Sequence, residues 1–286
     1  MTPPTDPSAP LGLIAGEGVF PFLVARGARA AGRKVVCCGF DGIADPALAR
    51  EVDAYRPVSF VRLGSWARFL RQEGASEAIM VGRVKKQNLH VKNEWFWALR
   101  QVPDFVTFWA WATVFRKDRR SETVLLTTAH MLQERGITLI DSTAYTKEQM
   151  ATAGTMGRVE PGEAQLRAIE RGWHVCGLLT REDVGQAVAV RDRDVVAVEA
   201  TEGTNAMIDR AGALCRGGGW TLVKRGNTRG DMRFDVPTIG VQTVEHVHAA
   251  GGNCICVEAQ QVILLEREKV LALADRLGIA VVGRSD

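Results

Sequence analysis

The sequence predicts an α/β protein of two domains, a Rossmann-like N-terminal domain built on a parallel sheet and a second α/β domain after it. Three observations carry this. The chain has 286 residues, above the usual size of one domain. Its first half alternates short apolar runs with helical patterns, as strand–helix–strand units of a parallel sheet do. That alternation stops at residues 143–164, a polar, glycine-containing stretch without sustained periodicity, and resumes beyond it.

In chain order, LGLIAG (11–16), KVVCCGF (34–40), PVSFV (57–61) and EAIMVG (77–82) predict strands. Segments 20–31, 65–73 and 121–135 predict helices, and ITLIDS (137–142) closes the first series. The expected boundaries are 1–145 for the N-terminal domain, with 1–10 a disordered tail, 146–164 for a linker, and 165–286 for the C-terminal domain. In the second half AVAVRD (187–192) and DVVAVEAT (194–201) alternate as half-buried or paired strands. A helix TNAMIDRAGALC (204–215), a strand WTLVK (220–224), the strands CICVEA and VILLE, a helix 267–277 and IAVVG complete it.

With 46% hydrophobic residues, each domain has enough apolar material for a core. A net charge of +3 argues against broad nucleic-acid binding and permits one basic, anion-binding cleft. MTPPTDPSAP lacks the basic and apolar regions of a signal peptide. No apolar run reaches the roughly 20 residues a spanning helix needs, so a soluble, cytoplasmic protein is expected. The cysteines, Cys37, Cys38, Cys176, Cys215, Cys254 and Cys256, form no C-x-x-C pair and sit mostly in apolar strand-like runs, which predicts buried, reduced thiols rather than a zinc site.

GEGVFP (16–21) follows a strand and opens a helix. Gly16 and Gly18 permit a tight turn that turns backbone N–H groups toward a phosphate at the helix N-terminus. Pro21 stands where a dinucleotide fingerprint has its third glycine, which counts against a nicotinamide-dependent oxidoreductase, although Asp41 is placed to meet a ribose. A tight turn without a ligand remains the alternative. The block from Trp95 to Phe115 holds four of the seven tryptophans and four of the ten phenylalanines. Phe105, Phe108, Trp109, Ala112 and Phe115 follow helical spacing, which suits core or interdomain packing, or contact with acyl chains or a membrane surface. His246 and His248 fall on a helical pattern, where positions i and i+2 face apart, so they do not read as a metal pair.

VEATEGTNAMIDRAG (198–212) leads a strand into Glu199 and Glu202, turns at Gly203, and opens a helix with Thr204 as the expected N-cap. Lys224 ends the next strand, and GDMRFDVP (230–237) brings Asp231, Arg233 and Asp235. Carboxylates and basic groups around a helix N-terminus suit divalent-metal-assisted phosphoryl chemistry, in which carboxylates hold Mg²⁺ and Lys or Arg neutralises phosphate oxygens. A surface ion-pair network is the alternative. Pro237 restricts Val236 to extended backbone, and an extended run would put residues 231, 233 and 235 on one face.

LIAGEGVFPFLVARGARAAGRKVV, DVGQAVAV, VEATEGTNAMIDR, LVK and DMRFDVPTIGVQTV together resemble the LpxI-type UDP-2,3-diacylglucosamine pyrophosphatases of bacterial lipid A synthesis, in the same order and across most of the chain. The resemblance implies a Rossmann-like N-terminal and an α/β catalytic C-terminal domain, with the lipid between them. It also implies hydrolysis of a UDP-linked acylated sugar to UMP and 2,3-diacylglucosamine 1-phosphate, with Mg²⁺ or Mn²⁺. On this reading Asp231, Arg233, Asp235 and Lys224 are catalytic, with Asp231, Asp235 and Glu202 holding the metal. Gly16, Gly18, Pro21, Gly203, Thr204, Asp183 and Gln186 bind substrate. A transient contact with the inner-membrane surface and homo-oligomerisation are both compatible with it. The chain departs from the family pattern in reading GNTRGD where a K-P-x-Q-D run is usual, and RRSET (119–123) where a G-D-D stretch is usual. A binding homologue without turnover remains open.

Overall fold

The computed structural model describes residues 8–84, 103–116, 121–226, 231–234 and 236–285. The chain divides into two compact units, Met1–Thr146 with Met232–Phe234, and Lys147–Asp231 with Asp235–Asp286.

The first unit holds five strands, β1 (Leu11–Ala15), β2 (Val35–Phe40), β3 (Ala54–Val58), β4 (Glu77–Val81) and β5 (Thr138–Leu139), in the order β3-β2-β1-β4-β5. All neighbours are parallel. β1 and β2 are buried along their whole length, which is why they read as unbroken apolar runs: helices cover both faces of such a sheet. β3 begins before the expected 57–61 and is half polar, because it is an edge strand, where Pro57 and Arg56 are tolerated. The helices are Phe20–Ala30, Leu63–Gln72, Phe105–Ala110 continuing into a π turn at Trp111–Phe115, and Ser121–Gln133. The chain steps outward from β1 to β2 to β3, then returns to place β4 on the other side of β1. That reversal is the topological switch point, beside which open α/β sheets bind ligands.

A buried cation is satisfied within this unit. Arg33 donates to Glu77 Oε2 (2.8 Å), the Tyr145 hydroxyl (2.7 Å) and the Ala9 carbonyl (2.8 Å). Although burial opposes its charge, the bonds to Tyr145 and Glu77 hold the guanidinium pKa above its ordinary value.

The second unit is a mixed sheet, β6-β13-β11-β9-β7-β8, with β6 at Gly154–Thr155, β7 at Ala187–Arg191, β8 at Asp194–Val198, β9 at Trp220–Lys224, β11 at Gly252–Glu258 and β13 at Ala280–Arg284. β9, β11 and β13 run parallel, whereas β7 and β8 form an antiparallel hairpin turned at Asp192, which has φ of 53°. Two short parallel strands, β10 (Thr238–Ile239) and β12 (Ile263–Leu264), lie apart. Residues 147–164, read from sequence as linker, belong almost wholly to this unit's structure: Met150 bridges to Ile263, and β6 pairs with β13.

The period of two along β11 separates two cores. Ile255 and Val257 join the larger cluster with Leu222 and Val281, while Cys254 and Cys256 face Val188, Val223 and Cys176. The second face is covered by the helix Glu163–Arg181, for which the sequence reading assigned no element. The helices Thr204–Leu214, Val241–Ala249 and Arg267–Arg276 complete the unit. All six cysteines are buried and free. Desolvation pushes Cys38, Cys176 and Cys254 up to about 12 and raises Cys37 and Cys256 as well.

Candidate active site

In the second unit, β8 delivers Glu199 into the interior, where it is 6% exposed. Its amide donates to the Ala187 carbonyl, and its own carbonyl lies against Gly185, where no Cβ would fit. That close approach accounts for the glycine of the D-V-G-Q element. Glu199 Oε1 accepts the Thr204 hydroxyl at 2.7 Å, and Oε2 accepts the Gln186 amide at 3.4 Å. Lys224, buried at the end of β9, donates from Nζ to Thr204 Oγ1 (3.1 Å) and to the Thr238 carbonyl (3.2 Å). The geometry thus brings Gln186, Thr204 and Lys224 into one cluster, and adds Glu199 at its centre.

Thr204 is not the N-cap. The chain enters the helix through Gly203 at φ 85°, a conformation that excludes most side chains, so Gly203 caps by backbone. Thr204 becomes the first helical residue, and its hydroxyl turns to Glu199. Glu202, expected as a metal ligand, is engaged otherwise: its carboxylate pairs with Arg210 and accepts the Ala200 amide. Hydrogen bonding to its own main-chain amide, foremost, and then to Arg210 and the Ala200 amide holds its carboxyl below the usual carboxylate range. These bonds close the turn at the end of β8. Asp183 is exposed at a left-handed turn (φ 54°) after the long helix.

β9 is prolonged by Arg225, which pairs with Glu258 (Nη2 to Oε1, 3.0 Å) and stacks its guanidinium carbon 4.1 Å from the centroid of the Trp173 ring. Glu258 Oε2 also accepts the Gly226 amide (2.8 Å).

The run 231–235 differs from the expectation of an extended segment. Met232–Phe234 form a turn, because Ser142 donates both its amide (2.9 Å) and its hydroxyl (2.7 Å) to the Met232 carbonyl, while Phe234 packs on the core of the first unit. Arg233 stacks on Phe234, with 4.9 Å to the ring centroid. The extended alternation therefore does not hold over the described residues 231–234. Asp231 is half-buried, and Asp235 lies outside the described residues.

The GEGVFP turn lies at the switch point of the first unit. The Gly16 amide donates to the Val81 carbonyl, and Glu17 and Arg83 exchange backbone bonds. Gly18, at φ 111°, has open space where a side chain would be, and Pro21 occupies the first turn of Phe20–Ala30. The turn thus has a structural reason for Gly16 and an exposed backbone at Gly18.

Of the aromatic block, Trp95, Phe96 and Trp97 lie outside the described residues. Phe105 is 81%, Phe108 55%, Trp109 53% and Trp111 47% exposed, which rules out packing of these rings in the core. The polar residues of this helix face inward instead: Asp104 accepts the Gly64 amide and Thr107 the Leu63 amide. His246 sits on the helix Val241–Ala249 and contacts Asp209 through Nδ1 (3.2 Å). Among the described residues, no three His, Cys, Asp or Glu side chains gather as a metal site, and no helix is long and apolar enough to cross a membrane.

A Rossmann-like unit with a backbone turn at its switch point, followed by an α/β unit with a Glu–Thr–Lys hydrogen-bond chain, defines a two-domain α/β protein. The LpxI N-terminal domain model matches residues 10–149 and the LpxI C-terminal domain model residues 152–282. The chain is 30% identical over 280 residues to the UDP-2,3-diacylglucosamine pyrophosphatase LpxI of Caulobacter vibrioides (strain ATCC 19089 / CIP 103742 / CB 15), covering 96% of each protein. It belongs to the LpxI family.

Proposed function

We propose that this chain hydrolyses the diphosphate of UDP-2,3-diacylglucosamine to UMP and 2,3-diacylglucosamine 1-phosphate, as a step of lipid A synthesis. The observation that carries this is the family match across both domains, with a relative of that printed activity covering nearly the whole chain. The site chemistry agrees with it. Lys224 ends a strand beside a helix N-terminus, and Asp231 and Arg233 follow within ten residues, so cationic and acidic groups are available to a diphosphate. In this reading Lys224 and Arg233 neutralise phosphoryl oxygens, Asp231 orients the attacking water or holds a cation, and Asp235 supports one of these roles. Gly16, Gly18 and Pro21 shape the turn that holds substrate by backbone. A bound Mg²⁺ or Mn²⁺ supplies charge neutralisation of the diphosphate. The carboxylates of Asp231 and Asp235 are the hard oxygen donors such an ion prefers, whereas those of Glu202 are committed to Arg210 and Ala200.

The exposed rings of Phe105, Phe108, Trp109 and Trp111 support contact with an anionic membrane surface, where an acylated substrate resides. Aromatic side chains favour that interface, and the sequence that follows, Arg-Lys-Asp-Arg-Arg (116–120), adds charge of the complementary sign. Incubation of the purified protein with UDP-2,3-diacylglucosamine, with and without Mg²⁺ or Mn²⁺, tests the activity directly. UMP release is expected, and its absence from folded protein under both cations overturns the reading.

A further inference from the structure

We propose that Glu199 is a positioning residue for the diphosphate chemistry, acting through the Thr204 hydroxyl on Lys224; this rests on the reading that Lys224 meets a phosphate. Glu199 is as buried as Lys224 itself, and a buried carboxylate is costly unless hydrogen-bonded. Its bonds are few and directed. A threonine hydroxyl has one proton, and the 2.7 Å contact gives it to Glu199 Oε1. Thr204 Oγ1 is then obliged to offer a lone pair on its other side, where Lys224 Nζ donates at 3.1 Å. The order of the chain, lysine to threonine to glutamate, is fixed by that single proton.

The scaffold around Glu199 is equally constrained. The absent Cβ of Gly185 admits the Glu199 carbonyl, and the Gln186 amide reaches its second carboxylate oxygen. The carbonyl of Gln186 accepts the Arg225 amide, next to Lys224 in the chain. Glu199 therefore reaches the end of β9 twice, once through the Thr204 side chain and once through the Gln186 backbone. A residue needed only to close the turn after β8 has no use for this route, because Glu202 and Arg210 already close that turn.

The test is a double-mutant cycle on UMP release from UDP-2,3-diacylglucosamine. Glu199→Gln keeps the shape and one of the two acceptor oxygens but removes the charge, and it should lower kcat/KM by on the order of tenfold, as loss of a charge-assisted bond does. Lys224→Ala should lower kcat/KM by itself, and Glu199→Gln should add little on that background, since its effect passes through the lysine. Equal, independent losses in the presence and absence of Lys224, or a folded Glu199→Gln enzyme with wild-type kcat and KM, overturn the proposal. If Lys224→Ala alone retains wild-type activity, the underlying assignment of Lys224 fails instead. Should Glu199→Gln not fold, Thr204→Ser and Thr204→Val replace it: serine keeps the hydroxyl and should retain activity, and valine should lose it only while Lys224 is present. Equal activity of the serine and valine variants overturns the proposal.

Discussion

Gly16 and Gly82 stand back to back at the switch point, with a Cβ on Gly16 only 2.9 Å from the Gly82 carbonyl carbon, and one on Gly82 only 2.7 Å from the Gly16 carbonyl carbon. Both distances are to backbone, which cannot step aside as a side-chain tip can. Gly16→Ala should therefore destabilise the first unit by about 1–3 kcal/mol, the usual range for overpacking. Gly18 differs, since open space surrounds its missing Cβ but its φ of 111° strains any other residue. Gly18→Ala is expected to cost a similar ~1–3 kcal/mol through the backbone alone, and to raise KM if its amide holds substrate. Denaturant titration and steady-state kinetics separate the two. A folded Gly18→Ala enzyme with unchanged KM and reduced kcat would contradict a purely binding role.

The thiols should be inert in the native state. Desolvation pushes Cys38, Cys176 and Cys254 up to about 12 and raises Cys37 and Cys256, so little of the reactive thiolate exists near pH 8. Cys215 is also buried. A thiol reagent at pH 8 should titrate almost none of the six in native protein and all six in denaturant. Rapid native labelling of Cys176 or Cys254, mapped by mass spectrometry, would show that the sheet face under the long helix opens readily.

Much of this architecture was legible in the sequence, and the exceptions have local causes. β9 reads clearly because its apolar run is bounded by glycines, and the helix Thr204–Leu214 because E-G-T opens it. The helix Glu163–Arg181 did not. It carries Gly172 and Gly177, each of which weakens a helical pattern by about 1 kcal/mol relative to alanine. Both are required by packing: a Cβ at Gly172 would meet Val223 Cγ2 at 2.5 Å, and one at Gly177 would meet Arg225 Nη1 at 2.8 Å. The turn at Met232–Phe234 was also invisible, because the residue that imposes it, Ser142, lies 90 positions earlier. Glu199 was legible as a carboxylate ending an alternating strand. Its direction was not, since burial depends on the β7–β8 pairing. Glu202 was legible as a carboxylate at the same turn, but its pairing with Arg210, eight residues on, was not.

The exposed aromatic helix should matter at membranes and hardly at all for folding. Trp109→Ala with Trp111→Ala removes rings that are about half exposed and should shift stability by no more than about 0.5 kcal/mol, as surface changes do. Flotation with vesicles containing anionic lipid should fall several-fold, together with turnover of vesicle-borne substrate. Unchanged flotation in the double variant would remove this helix from membrane contact.

Chelation should silence the enzyme. On the proposed reading the anhydride must be neutralised as water attacks it. Exhaustive EDTA treatment is expected to reduce UMP release at least a hundredfold, with Mg²⁺ or Mn²⁺ restoring it while the circular dichroism spectrum stays constant. Full activity in metal-free protein would exclude the cation from the reaction.

Asp231 and Glu202 should behave in opposite ways, though the sequence offers both as metal-binding carboxylates. Glu202 spends its oxygens on Arg210 and on the Ala200 amide, at the surface end of the turn. Glu202→Gln keeps an acceptor for one of the two bonds and removes the charge, so a loss in kcat below about threefold is expected, with a small drop in stability, because exposed ion pairs contribute little. Asp231 is half-buried and comes immediately before the turn at Met232–Phe234. A carboxylate placed in that way is suited to a transition-state contact rather than to holding the fold. Asp231→Ala should therefore lower kcat by a factor of 10³ or so, the scale of losing a general base or a metal ligand, while the melting temperature and the affinity for substrate change little. Steady-state kinetics on both variants, with binding measured by calorimetry, decide the matter. A folded Asp231→Ala enzyme near wild-type kcat, or a Glu202→Gln enzyme as inactive as the Asp231 variant, would reverse the assignment of the two carboxylates.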